Sequence, residues 1–334
     1  MLNFRIFLHE KKTMRNDNID FVKGIGILLM IVGHCSYWKE MVGYISSFHM
    51  PLFFIVSGYF YKNSFNLSKN IKKTLKPTII ITLLCCAIYL MANNIDLATK
   101  RLLGLCFPDS FYLKEYSWIN LGAIWFIPAL FWCKLISHYV VRLSNGKYIL
   151  VSAVISSVCA FLGCSILDYN IPFGILIGGC GVFSYCLGYY ARIHDSMNKC
   201  IPTELWIVFF AIWLFFCHYY QFEMFSFQYT KFFPLQILIA FGMTLFIYRV
   251  SVGIENIDSI LISKLASSIS FCGSRTLWIL CSHEVCRVSF VAFNLYDLFG
   301  EKNGSLVLFS ASIIMGIISK SLHDFLSEKL ITKN

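Results

Sequence analysis

Apolar blocks long enough to cross a bilayer recur along nearly the whole chain, and they restrict its fold more than any other feature. A helix needs about 20 apolar residues to span the hydrocarbon core. About ten such blocks can be marked, with cores near 19–38, 43–61, 75–93, 118–138, 148–167, 172–191, 203–220, 231–250, 274–292 and 303–323. Only 14% of the 334 residues are charged, against roughly 25% in an ordinary soluble protein. A mean hydropathy of +0.67 leaves no room for a large aqueous domain. The block at 172–191 carries Gly174, Gly178, Gly179, Gly181 and Gly188. These weaken a helix in water, but in lipid such spacing lets helices approach closely. The expectation is an all-α, polytopic membrane bundle of about ten transmembrane helices. It forms one membrane domain over 1–334, with a helical core of about 15–325. Nothing before the first block has the form of a cleavable signal, so that block is expected to stay as an anchor.

Basic residues set the orientation. With the N-terminus placed in the cytoplasm, 18 Lys and Arg fall on the inner side and 7 on the outer, among them Arg101 and Arg287. This asymmetry is what the positive-inside rule requires. It accounts for the formal charge of +10 without any nucleic-acid partner, and it predicts that both termini are cytoplasmic. The longest outer stretch, 94–117, mixes apolar and charged residues and is expected to lie on the membrane surface. Fourteen cysteines include no Cys-x-x-Cys pair, and most sit inside apolar runs. They read as small apolar filler, with no metal site expected.

Ionisable side chains inside a membrane helix are costly and mark functional candidates. The first block carries Asp20, Lys23 and His34. At about 100° per residue, Lys23 and His34 fall within roughly 20° of alignment, and Asp20 and His34 within roughly 40°. The three share one face, with His34 about 16 Å along the axis from Lys23 and about 21 Å from Asp20. The plain alternative is an interfacial Asp20–Lys23 ion pair, with His34 reaching for the headgroups.

The run Ile19-Asp20-Phe21-Val22-Lys23-Gly24-Ile25-Gly26-Ile27, closing at Gly33-His34, resembles the opening helix of the acyltransferase-3 family. The segment from Phe48-His49-Met50-Pro51 through Ser57-Gly58-Tyr59-Phe60 is similar to that family's second segment. Ile124 to Phe131, and Gly273-Ser274-Arg275-Thr276-Leu277-Trp278 through His283, are two further pieces in the same order. Lysine at position 23, where many members have arginine, resembles the fucose O-acetylase branch. It offers a point charge rather than a bidentate fork. The resemblance implies transfer of an acetyl group from cytosolic acetyl-CoA to a hydroxyl of an extracytoplasmic or lipid-linked glycan, at a bacterial inner membrane. It maps the essential histidine to His34 and its basic partner to Lys23.

Chemistry agrees with that mapping. A sugar hydroxyl is a poor nucleophile, so a positioned base must take its proton, and histidine suits the task near neutral pH. His34 is therefore expected to act as general base or acyl carrier. Asp20, Lys23 and Arg275 are expected on the donor, and His49, Trp125, His283 and Glu284 on the acceptor. Alternatives stay open at each. His49 can be interfacial, Trp125 an anchor or packing residue, His283 and Glu284 a pair at the outer boundary, and Arg275 a headgroup contact. Ser57-Gly58 reads as helix packing. The competing function is a secondary transporter or flippase for a sugar-linked lipid, although paired broken helices in two repeated halves are not evident.

Overall fold

The computed structural model describes residues 16–62, 66–107, 121–144, 148–166, 172–219 and 233–331. Arg5, Lys11, Lys12, Arg15, Lys114, Lys147, Lys231 and Lys333 lie outside the described residues, as do the second half of the 94–117 stretch and the outer edges of some expected spans. Among the described residues every regular element is helical. The chain is an all-α membrane bundle. Among the described residues, four helices are long and apolar enough to cross a bilayer: Leu67–Met91, Gly122–Leu143, Phe233–Glu255 and Glu301–Glu328. Ile149–Gly163, Thr203–Tyr219 and Ile260–Gly273 are shorter apolar helices.

Several expected spans are broken. The first helix, α1 (Asp17–Gly33), starts where the Asn16 side chain accepts the Ile19 N–H and ends at His34, short of the expected 38. The second span divides into α2 (Val42–Ser46) and α3 (His49–Tyr59). Pro51 stands in the first turn of α3, where no helical carbonyl waits for the N–H that proline lacks. After α4 (Leu67–Met91), α5 (Ile95–Leu103) packs beside it. Next come α6 (Phe126–Leu143), preceded by a 3-10 turn at Gly122–Trp125, and α7 (Ile149–Ile166). The glycine-rich span divides into α8 (Ile175–Cys180) and α9 (Val182–Ile193) around Gly181. Helices α10 (Thr203–Tyr219) and α11 (Phe233–Glu255) follow. Like α5, α12 (Ile260–Gly273) lies outside every marked block; its apolar residues alternate with Ser263, Lys264, Ser267, Ser268 and Ser270. It leads through Ser274 and Arg275 into α13 (Thr276–Ala292), and α14 (Leu295–Phe299) and α15 (Glu301–Ile331) close the chain.

Close approaches give the relative directions. Gly33 faces Ile45, and Gly26 faces Leu52 and Phe53, so the segment from α2 to α3 runs antiparallel to α1. Gly273 lies against the Asp20 carbonyl while the His283 ring lies beside that of His34, so the chain from Gly273 through α13 climbs parallel to α1. The Cys35 thiol donates to the Ser305 carbonyl, and the Trp278 ring meets the His323 ring, so α15 descends antiparallel to both. The start of α1 and the end of α15 therefore share one end of the bundle. Gly58 and Gly188 bring α3 and α9 into backbone contact, as expected for small residues between membrane helices.

Two residues counted as outer-loop cations are misplaced by that tally. Arg101 is 4% exposed, and Arg287 turns into the bundle to bind a fully buried carboxylate. Removing them from the outer count sharpens the charge asymmetry. It also corrects the picture of 94–117 as a purely surface segment, because α5 packs on α4 and directs Arg101 inward.

The α1–α12 contact gives a stability test. A Cβ on Gly273 would stand 1.7 Å from the Asp20 carbonyl oxygen, which is backbone and cannot step aside. Gly273→Val should lower stability by at least the ~1–3 kcal/mol usual for overpacking. The fall in thermal midpoint in detergent checks this, and an unchanged midpoint would contradict the packing described.

Candidate active site

The C-terminal half of α1 and one face along α13 supply two parallel stripes that wall a common cavity. On α1 the stripe is Ile27, Met30, Gly33 and His34, and on α13 it is Thr276, Leu280 and Arg287. These spacings of three, four and seven are the positions that fall on one helical face. From α2 and α3 come Val42, Ile45, Ser46, His49, Met50 and Phe53, and from the turn before α6 come Gly122, Ala123, Trp125 and Phe126. The cavity encloses about 220 Å3, several water volumes.

His34 is the C-cap of α1, and its backbone N–H bonds to the Met30 and Ile31 carbonyls. Its side chain is exposed, and the surface it exposes is cavity wall. His49, the first residue of α3, is half-buried on the same cavity. Its Nδ1 lies 2.8 Å from the Ile45 carbonyl oxygen. A carbonyl only accepts, so Nδ1 carries a hydrogen and the neutral ring turns its lone pair to Nε2. His283 is fully buried, with its ring centroid 5.4 Å from that of His34. Three histidines distant in sequence thus meet in one place.

Beside them is a charge cluster that spacing did not reveal. Glu284 is fully buried, and its Oε1 accepts from Arg101 Nη1 at 2.9 Å and Arg287 Nη2 at 2.7 Å. Its Oε2 accepts from the Ala123 backbone N–H at 2.8 Å and from Arg287 Nε at 3.2 Å. All the usual acceptor positions of the carboxylate are filled, and every partner is a donor. Glu284 is therefore a clamp: it offers a ligand not its own oxygens but the orientation of Arg287, which lines the cavity. Gly122 permits the arrangement. It has φ of +57, and a Cβ there would stand 2.3 Å from Glu284 Oε1 and 2.4 Å from Arg287 Nη2. Two arginines against one glutamate leave a net positive charge at the cavity wall.

The expected donor residues lie at the other end of the same stripe. Lys23 precedes Ile27 by one turn, about 6 Å of axial rise, and pairs with Asp20 at 2.5 Å. Neither lines the cavity, whose lower margin is Ile27 and Thr276. Arg275, next to Thr276, covers the Phe271 ring at 3.4 Å and donates to the Phe271 carbonyl and the Ser274 hydroxyl. The structure thus brings together His34, His49, Trp125 and the His283–Glu284 pair, and sets Asp20, Lys23 and Arg275 apart from them. Trp125 is buried, with its edge against Phe126. Arg101, Arg287 and Ser312 were missed as site residues. For the arginines the available signal was a cation beside an apolar run, which a loop explains equally well. Among the described residues no group of three or more His, Cys, Asp or Glu could hold a metal ion.

A family model described as an acyltransferase domain matches residues 16–321. No curated protein and no solved structure matches the chain.

The clamp predicts a large effect from a small change. Glu284→Gln leaves the buried Arg101 and the half-buried Arg287 without a counter-charge, and breaking a buried pair this way costs about 3–5 kcal/mol. The variant should insert but melt well below the parent in detergent. A midpoint within experimental scatter of the parent would show that the clamp does not hold α5, α13 and the Gly122 turn together.

Proposed function

The chain belongs to the acyltransferase-domain family and is an acyltransferase; from that premise we propose that it moves an acetyl group from cytosolic acetyl-CoA to a hydroxyl of an extracytoplasmic or lipid-linked glycan. The observation that carries this reading is the meeting of His34 and His49 on one cavity with a fixed positive charge at Arg287. Acyl transfer needs a base for the hydroxyl proton and a donor for the oxygen of the tetrahedral intermediate. In this reading His34 takes the first role. Arg287, held rigid by Glu284, is placed for the second, and a preorganised charge in a water-poor site is where such stabilisation is strongest.

The thioester enters from the Lys23 end in this reading. Lys23 and Arg275 meet the donor's phosphates, and Asp20 holds the lysine in place. The acyl arm then lies along the stripe from Ile27 to His34, which the cavity follows to within one turn of the lysine. The glycan approaches from the opposite end past His49 and Trp125, with membrane lipid around it. Ten crossings, cytoplasmic termini and a bacterial inner membrane complete the proposal. The alternating directions of α1, α3, α13 and α15, and a start and end on one side, support that topology.

His34→Ala should abolish transfer of label from acetyl-CoA while the protein still inserts and purifies as the parent does. Full activity in that variant would remove the assignment, and retention of glycolipid export without acetyl transfer would favour a flippase. Lys23→Ala should raise KM for acetyl-CoA by about tenfold with a smaller effect on kcat, as expected when an interaction common to ground and transition states is lost. An unchanged KM would take Lys23 out of the donor site.

A further inference from the structure

The hydrogen bonds around Ser312 fix the tautomer of a histidine. A serine hydroxyl has one hydrogen to give. Ser312, fully buried on α15, gives it to the Leu308 carbonyl at 2.6 Å. Towards His283 Nδ1, at 3.1 Å, its oxygen can therefore only accept. The hydrogen of the neutral His283 ring must sit on Nδ1, and the lone pair on Nε2. That Nε2 is buried and has no hydrogen-bond partner. A buried acceptor left unpaired costs about 1–3 kcal/mol, and the neighbouring ring is His34, 5.4 Å away between centroids and tilted by 34°.

The other titratable groups facing this pair are already engaged. His49, from α3, commits its Nδ1 hydrogen to Ile45, and Arg287 of α13 and Arg101 of α5 are turned onto Glu284. We propose that His283 is a positioning residue for His34. Its Nε2 accepts the N–H of one His34 nitrogen and so presents the lone pair of the other to the acceptor hydroxyl. This deepens the reading of His34 as the base and rests on it.

In the reaction, the hydroxyl oxygen bonds to the acyl carbon as its proton passes to the free nitrogen of His34. The carbon–sulfur bond then breaks, and the imidazolium returns that proton to the departing thiolate, leaving ester and thiol. His283 stays neutral throughout, because its own hydrogen is committed to Ser312. The logic is that of a catalytic base oriented by a third group, with a neutral acceptor in place of a carboxylate. Catalytic hydrogen bonds are often long before substrate binds, and a turn of the His34 ring closes this one.

The test uses the full chain in liposomes and has two arms. In the first, histidine is labelled with nitrogen-15, and solid-state resonance reports the tautomer of each ring, with His283→Gln assigning the signal. A hydrogen on Nδ1 of His283 that is lost or redistributed in Ser312→Ala supports the proposal. A hydrogen on Nε2 overturns it. In the second arm, thiol release from acetyl-CoA is followed. Ser312→Ala and His283→Leu should each lower kcat by about tenfold or more, in the range seen when a supporting hydrogen-bond partner is removed, with KM unchanged. His283→Gln keeps an acceptor oxygen and should recover several-fold over His283→Leu. Parent kcat in His283→Leu, or a loss confined to KM, overturns the proposal. Should the leucine variant fail to fold, Ser312→Ala, which removes one atom, decides. The first arm needs no substrate. A parent protein that leaves acetyl-CoA untouched therefore refutes the donor reading, while the tautomer result still decides this inference.

Discussion

A carboxylate held inside a membrane bundle must have its charge met on the spot, since neither water nor lipid will do it. Glu284 meets that demand with two arginines and a backbone N–H drawn from three separate parts of the chain. Arg101 ties in α5, Arg287 the next turn of α13, and Ala123 the turn that opens α6. The cavity beside it owes its shape to this knot. The Gly122 turn presents Trp125 because Ala123 is fixed, and Arg287 lines the cavity because two of its nitrogens are committed to one carboxylate. Such a cluster is weak evidence for stability as such, because its desolvation is costly. Its effect is to define one arrangement of polar groups next to the histidines.

Close backbone contacts do the rest of the positioning. Gly273 against Asp20 and Gly24 against Ile269 bring α12 onto α1, which sets the height of α13 and with it His283 beside His34. Helices that share no hydrophobic drive to associate in lipid depend on such van der Waals approach and on polar contacts between them. The Ser312–His283 bond and the Cys35–Ser305 contact then register α15 against both. A single axial alignment of α1, α13 and α15 thus fixes the histidines at the cavity, and Lys23 and Asp20 fall on the same stripe one turn below it.

Much of this was legible in the chain itself. The face shared by Lys23 and His34 follows from helical geometry, and the stripe of cavity residues on α1 lies along it. His49 and His283 were marked as costly polar residues, but no periodicity could say that they converge. Arg101 and Arg287 were read as loop cations because each sits near the edge of an apolar run, where a charge is cheap. Helix α12 was missed because its serines and Lys264 interrupt the apolar run that a spanning helix needs. The break at Gly181 lay within a glycine-rich stretch that periodicity treats as one span.

Sequence by itself determined the class of solvent this chain folds in, the helical periodicity of its spans, and the common face of Asp20, Lys23 and His34. These depend on composition and on rotation per residue, which are local. Tertiary structure alone decided which ionisable groups face one another. Pairing Glu284 with Arg101 across most of the chain, or setting Ser312 behind His283, depends on which helices are neighbours and at what height. That choice is made by glycine contacts and buried charge, neither of which leaves a periodic trace along the chain.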